Sequence, residues 1–245
     1  MIYVTGDTHG DWKTRLNGYT FPEQKQMTKD DYVIVLGDFG IWDDSDRERI
    51  NLDWLNNRNF TTLFISGNHS NYDILNALPI EQWNGGNVNF IRSNVIHLRR
   101  GQVFNIDGTT FFTFGGATSH DISDGILEIG NPRIKEWSKD PNKMFRINHK
   151  SWWKEELPSE EETQEGIYNL NDAGNKVDFI FTHCAASSTA ALLSHGLYKP
   201  DSLTDYFEEI KNKVEFKKWL FGHYHDNKAV NDKEILLYDQ IVRIA

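Results

Sequence analysis

Eight side chains able to hold a metal ion or move a proton follow short apolar runs in this chain. They are Asp7 and His9 in "TGDTHG", Asp38 in "GDFG", Asn68 and His69 in "SGNHS", His183 in "THC", and His223 and His225 in "GHYH". Asp7 and Asp38 are anionic oxygen donors. His9, His183, His223 and His225 offer imidazole nitrogens, and Asn68 offers a carbonyl oxygen. Mixed nitrogen and oxygen donors without a committed thiolate suit Mn, Fe or Zn better than Ca or Mg. Seven such donors are too many for one ion of this kind and suit two divalent ions that share a carboxylate.

Something must bring these residues together. The runs before them are "IYV" (2–4), "YVIVL" (32–36), "TLFI" (62–65), "DFIF" (178–181) and "WLF" (219–221), each short and rich in β-branched or aromatic residues, as buried strands are. Helical patterns lie between them. Residues 45–58 open on Ser45 with Glu48 three positions on, a capping-box spacing. Residues 202–214 carry Phe207, Ile210 and Val214 at helical intervals behind a Ser202 cap, and 71–78 is a shorter candidate. Alternation of strand and helix predicts an α/β fold, and ligands in such folds bind at the carboxyl ends of the strands. Residues 95–114 read as strands around an Asp107-Gly108 hairpin turn, and the C-terminal "EILLYDQIVRI" as a further antiparallel piece, so the sheets are mixed. Glycines 6, 37, 67 and 222 are read as allowing sharp turns at strand ends.

The chain has 245 residues, room for a single domain with a real core. Its formal net charge of −10 argues against a large basic track for a nucleic-acid polymer. One cysteine, Cys184, excludes an intrachain disulfide framework and fits a reducing compartment. The start has neither the charged nor the apolar segment of a signal peptide, and no apolar run approaches the ~20 residues that span a bilayer. The expectation is a cytoplasmic protein without membrane partners.

The ordered pattern Asp-x-His, Gly-Asp, Gly-Asn-His, lone His, Gly-His-x-His, running from residue 5 to residue 225, resembles the calcineurin-like metallophosphoesterase superfamily. The resemblance implies a two-sheet sandwich flanked by helices and a phosphomonoester or phosphodiester substrate. It implies two divalent ions, with manganese first and iron or zinc as alternatives. Asp7, His9 and His225 would bind one ion, and Asn68, His183 and His223 the other, with Asp38 bridging. Water activated between the ions would attack phosphorus, and His69, not a ligand, would protonate the leaving oxygen. Two other readings are a nuclease and a non-catalytic metal-binding scaffold; the intact His69 speaks against the latter.

The pattern also departs from the family. The protein-phosphatase branch continues its second motif to a second aspartate and an arginine, where this chain has Ile41 and Trp42, and Ser70 follows His69 where an acid is common. The carboxylate that orients the histidine and an arginine that grips phosphate are therefore missing from their usual places; Asp43 or Asp44 is a candidate substitute for the first. Residues 117–176 are polar and read as an insertion or cap that decides substrate choice. Within it, His120, Asp121 and Asp124 belong either to the substrate's surroundings or to a polar loop. Trp152 and Trp153 are either pocket walls or packing. The acidic run 160–162 reads as the solvated first turn of a helix capped by Ser159. Cys184 reads as a buried small residue, while His97, His149 and His195 have no evident partners.

Overall fold

The computed structural model describes residues 1–245. In chain order its strands are β1 (Ile2–Thr5), β2 (Tyr32–Val35), β3 (Thr61–Phe64), β4 (Glu81–Trp83), β5 (Gly86–Arg92), β6 (Val95–Leu98), β7 (Gln102–Ile106) and β8 (Thr109–Phe114). After these come β9 (Gly125–Leu127), β10 (Phe145–Ile147), β11 (Lys176–Thr182), β12 (Glu215–Phe221), β13 (Lys228–Ala229), β14 (Glu234–Leu236) and β15 (Ile241–Arg243). A seven-stranded sheet runs β15-β1-β2-β3-β6-β5-β4, and a six-stranded sheet runs β13-β14-β12-β11-β8-β7. The strands that carry motifs are parallel within each sheet, β1 to β2 to β3 and β11 to β12, so their motif-bearing ends share one edge.

Side-chain alternation along these strands builds the layers. Val4, Ile34, Leu36 and Leu63 face Phe111, Phe181 and Leu220 of the other sheet in one apolar cluster, the sandwich core. On the opposite face, Tyr3, Val33, Val35 and Phe64 meet three helices: α1 (Trp12–Arg15), α2 (Asp46–Asn56) and α3 (Tyr72–Ala77). A short helix, α4 (Arg133–Trp137), stands apart from these layers. The outer face of the second sheet, with Phe112, Phe114, Trp219 and Phe221, is covered by α5 (Glu160–Asp172), α6 (Ser187–Leu193) and α7 (Ser202–Lys213).

Local sequence explains most of the element ends, with three differences from expectation. Ser45 Oγ accepts from Glu48 N as expected, but the Glu48 carboxylate accepts from the backbone N–H of Trp42 at 2.7 Å and of Asp44 at 3.2 Å. It thus pins the loop of the second motif instead of closing a capping box. Helix α7 is capped by Asp201, not Ser202, because Asp201 Oδ1 takes the N–H of both Leu203 and Thr204. In the C-terminal piece β14 is antiparallel to β13 but parallel to β12 on its other side, and β15 is antiparallel to β1. The Asp107-Gly108 turn forms as read, with φ of 50° and 82° joining β7 to β8.

Within residues 117–176, α5 is a layer helix. Ser159 and Glu162 form a full capping box at its start, and Leu170 enters the core. The part before α5 stands outside the layers, built around the two-stranded pair β9–β10. It is moored to the sandwich by the buried Arg100, which donates to Gly115 O, Tyr72 Oη, Glu155 O and Glu156 O at 2.8 to 3.0 Å and pairs with Glu162. A second mooring runs to α3, where the Asp73 carboxylate accepts from Trp153 Nε1 at 2.8 Å and from His149 Nδ1 at 3.0 Å. His149 therefore has a partner after all. So does His97, whose Nδ1 lies 3.0 Å from Asn89 Oδ1.

Candidate metal centre

The motifs at the ends of β1, β2, β3, β11 and β12 meet at the seam between the sheets. Backbone bonds lock the loops together: His9 N–H donates to Asp38 O at 2.7 Å, and Gly222 N–H to His183 O at 2.9 Å. Four of the seven candidate ligands, His9, Asp38, His223 and His225, have φ between 42° and 71°. Non-glycine residues in that region are strained, and such strain gathers at functional sites.

The glycines of the motifs divide between the expected turn and a second purpose. Only Gly37 among the four has a left-handed backbone, φ 94°. Gly67 and Gly222 are required by close approach: a Cβ on Gly67 would sit 2.1 Å from Asp38 Oδ1, and one on Gly222 2.2 Å from Asp7 Oδ1. Each carboxylate fills the space that a side chain on the neighbouring loop would occupy.

Asp7 and Asp38 are almost fully buried, and each accepts a backbone N–H, Asp7 from His223 at 3.0 Å and Asp38 from His69 at 2.9 Å. Two buried carboxylates demand positive charge nearby. The imidazoles supply either that charge or a lone pair for an ion that does. His183 Nδ1 lies 2.7 Å from Leu36 O, which only accepts, so Nδ1 carries the proton. In neutral His183, Nε2 then presents a lone pair to Asn68 Oδ1 at 3.2 Å and to Asp38 Oδ2 at 3.4 Å. On the other side, His9 Nε2 and His225 Nε2 are 3.1 Å apart, and His225 Nε2 is 3.1 Å from Asp7 Oδ2. Lone pairs brought this close repel unless a proton or a metal cation lies among them. Two groups have the spacing to hold one: Asp7, His9 and His225, and Asp7, Asp38 and His183.

The electrostatics agree. Burial opposes charge on His183, but the Asp38 and Asp7 carboxylates outweigh it and push the imidazole up to about 9. Burial would raise Asp38, yet His183 holds it well below the usual carboxylate range. Burial lowers His9 and His69, against the pull of the Asp38 carboxylate in the opposite direction.

The expected residues fall into place unevenly. Asp7, His9, Asp38, Asn68, His183 and His225 have ligand atoms in mutual reach, as given above. His223 lies beside them, its ring centroid 5.0 Å from that of His183, and its backbone N–H, not its ring, touches Asp7. Asn68 is oriented by a chain that the sequence did not single out. Its Nδ2 donates to Ser119 Oγ at 3.3 Å, and Ser119 Oγ donates to the buried Glu156 at 2.6 Å. That direction leaves Asn68 Oδ1 turned toward His183. Glu156 and Ser119 belong to no motif and approach Asn68 only through the fold.

Neither substitute offered for orienting His69 does so. Asp44 pairs with Arg49, and Asp43 accepts from Ser45 N. His69 instead lines a cavity of about 260 Å³ with His9, Trp42, Arg146, Lys150 and Trp153. A second cavity, about 350 Å³, opens from His9 past Trp42. A third, about 420 Å³, reaches His223 through His120, Tyr198 and Tyr224. Trp153 thus both packs and lines a cavity. Asp121 holds Arg146, and Asp124 pairs with Lys143.

No helix is long and apolar enough to cross a membrane. Among known proteins, a search of curated sequences returned no match. A solved structure of a phosphopantetheinyl hydrolase from Mycobacterium tuberculosis is similar at 15% identity and a TM-score of 0.43, covering 97% of this chain and 87% of that one. The family model described as calcineurin-like phosphoesterase matches residues 1–227. This chain belongs to the calcineurin-like phosphoesterases, metal-dependent hydrolases of phosphoric esters.

Proposed function

We propose that the protein is a dinuclear phosphoesterase that prefers manganese and acts on a small phosphoester. Asp7, His9 and His225 serve one ion and Asn68, His183 and His223 the other, while Asp38 lies between them. The observation that carries this reading is the convergence of two groups of candidate ligand atoms on one seam. The His183, Asn68 and Asp38 atoms meet on one side and the His9, His225 and Asp7 atoms on the other. Two divalent ions in such a setting lower the pKa of water and neutralise phosphoryl oxygens.

The chain's own residues do the rest. The Asp38 carboxylate, tied to the His69 backbone at 2.9 Å, couples the site to the loop that carries the proton donor. His69 is the general acid for the leaving oxygen; its ring lies 5.6 Å from that of His9 and opens into the same cavity. Trp153 and Trp42 are the apolar walls of that cavity. Residues 117–157 act as a cap that shapes substrate choice, and the net charge of −10 favours a small substrate over a nucleic-acid polymer.

Elemental analysis of protein loaded with Mn²⁺ and then desalted tests the dinuclear reading. Close to two ions per chain are expected, falling to one or none in Asp38→Asn. A wild-type protein that retains a single ion overturns the bridging role.

A further inference from the structure

The second motif lacks a phosphate-gripping arginine, since Trp42 stands at its usual place. The cavity beside His69 nevertheless contains one. Arg146 reaches it from β10, on the cap. Its Nε donates to Asp121 Oδ1 at 2.9 Å, and its Nη2 donates to Asp121 Oδ2. This two-point contact fixes the guanidinium plane. A guanidinium has five N–H donors, and Asp121 takes two of them. The remaining three have no acceptor in the protein, although the side chain is only 21% exposed. Lys150, four residues on, lines the same cavity and pairs with no carboxylate. In a chain with ten more acidic than basic charges, two cations without a protein acceptor for their free N–H groups line the cavity of the candidate proton donor, where an anion would find them.

We propose that Arg146, aimed by Asp121 and assisted by Lys150, binds the non-bridging oxygens of the substrate's phosphoryl group and so suits the site to a terminal phosphomonoester. This deepens the phosphoesterase reading and rests on it. A monoester's phosphoryl group carries three non-bridging oxygens and up to two negative charges. A diester carries two such oxygens and one charge. Oxygens that the ions do not take are left for the free edge of the guanidinium and the ammonium. Asp121 is a positioning residue: it acts through Arg146 by holding the fork and keeping its free edge in the cavity. The arginine comes from the cap and not from a strand-end motif, so phosphate recognition is separable from ion binding.

The test titrates inorganic phosphate calorimetrically into Mn²⁺-loaded protein. In parallel, kcat/KM is measured on p-nitrophenyl phosphate and bis(p-nitrophenyl) phosphate, with metal content checked for each variant. Charge-assisted hydrogen bonds of about 1.5–3 kcal/mol convert to about a 10- to 150-fold effect. Arg146→Ala is expected to weaken phosphate binding by that factor and to cost the monoester more than the diester, with metal content unchanged. Arg146→Lys should recover part of the binding, and Asp121→Asn should raise KM more than it lowers kcat. Unchanged phosphate affinity in Arg146→Ala, or equal losses on both esters, overturns the proposal. A wild type inactive on both esters counts against the phosphoesterase reading alone; the phosphate titration then still decides the role of Arg146.

Discussion

Asn68 Nδ2 donates to Ser119 Oγ at 3.3 Å, and that bond decides which end of the Asn68 amide faces His183. Ser119 is in turn fixed by Glu156, a carboxylate that burial raises above its ordinary range. An asparagine ligand can flip, and only its oxygen coordinates. Outer partners of this kind commonly control metal affinity by 10- to 100-fold.

Ser119→Ala is therefore expected to weaken one of the two Mn²⁺ sites by about tenfold or more. Calorimetric Mn²⁺ titration reads this directly. The first, tighter binding event should be unaffected if it belongs to Asp7, His9 and His225; equal weakening of both events would count against the assignment.

For His69, the informative comparison is between leaving groups. His69→Ala should retain both ions and lose about 10²- to 10⁴-fold in kcat on an alkyl phosphate. The loss should shrink on an aryl phosphate whose leaving group needs no proton. Equal losses on both, or loss of metal, would show that the role is another.

Gly67→Ala tests the packing argument. The added carbon would lie 2.1 Å from Asp38 Oδ1, far inside contact distance, so either the loop or the carboxylate must move. Metal content should fall sharply while the far-UV circular dichroism stays native. Unaltered Mn²⁺ retention would mean that the loop yields freely.

His97 gives a pH dependence away from the site. Burial, with Arg99 and Arg100 nearby, pulls its pKa from 6.5 down to about 3. The unfolded chain takes up a proton near pH 6.5, which the native state refuses until about pH 3. Its contribution is thus intact above pH 6.5 and is lost as pH falls toward 3, by up to about 1.4 kcal/mol per pH unit. Comparing metal-free wild type and His97→Gln by urea unfolding at pH 7 and pH 4.5 isolates this contribution; the variant's stability should fall less on acidification.

The strand ends were legible because buried parallel strands and their motifs are local signals: "YVIVL" followed by "GD" carries both the element and its chemistry. Asp38 and His183 could be paired on paper because both follow such runs. Arg146, Ser119 and Glu156 could not, since nothing in "FRIN", "ATSH" or "KEEL" marks them and their nearness to His69 or Asn68 is made only by the folding of the cap. The cap of α7 was misplaced by one residue because Asp201 and Ser202 are both competent caps and only the backbone chooses. Gly37 has the turn backbone expected of it, but Gly67 and Gly222 are there for another reason, because a collision across two loops has no signature within either one.

The seam has a mechanical consequence. Asp7, His9, Asp38 and Asn68 hang from one sheet, while His183, His223 and His225 hang from the other. An ion bound by both sets is a rivet through the sandwich, so occupancy and the cohesion of the two halves rise and fall together. Saturation at about a hundred times Kd adds about 2.7 kcal/mol to the folded state. Chelation should therefore lower the melting temperature and loosen β11 and β12 against β1 and β2, seen as faster amide exchange at the motif ends of those strands than at their starts.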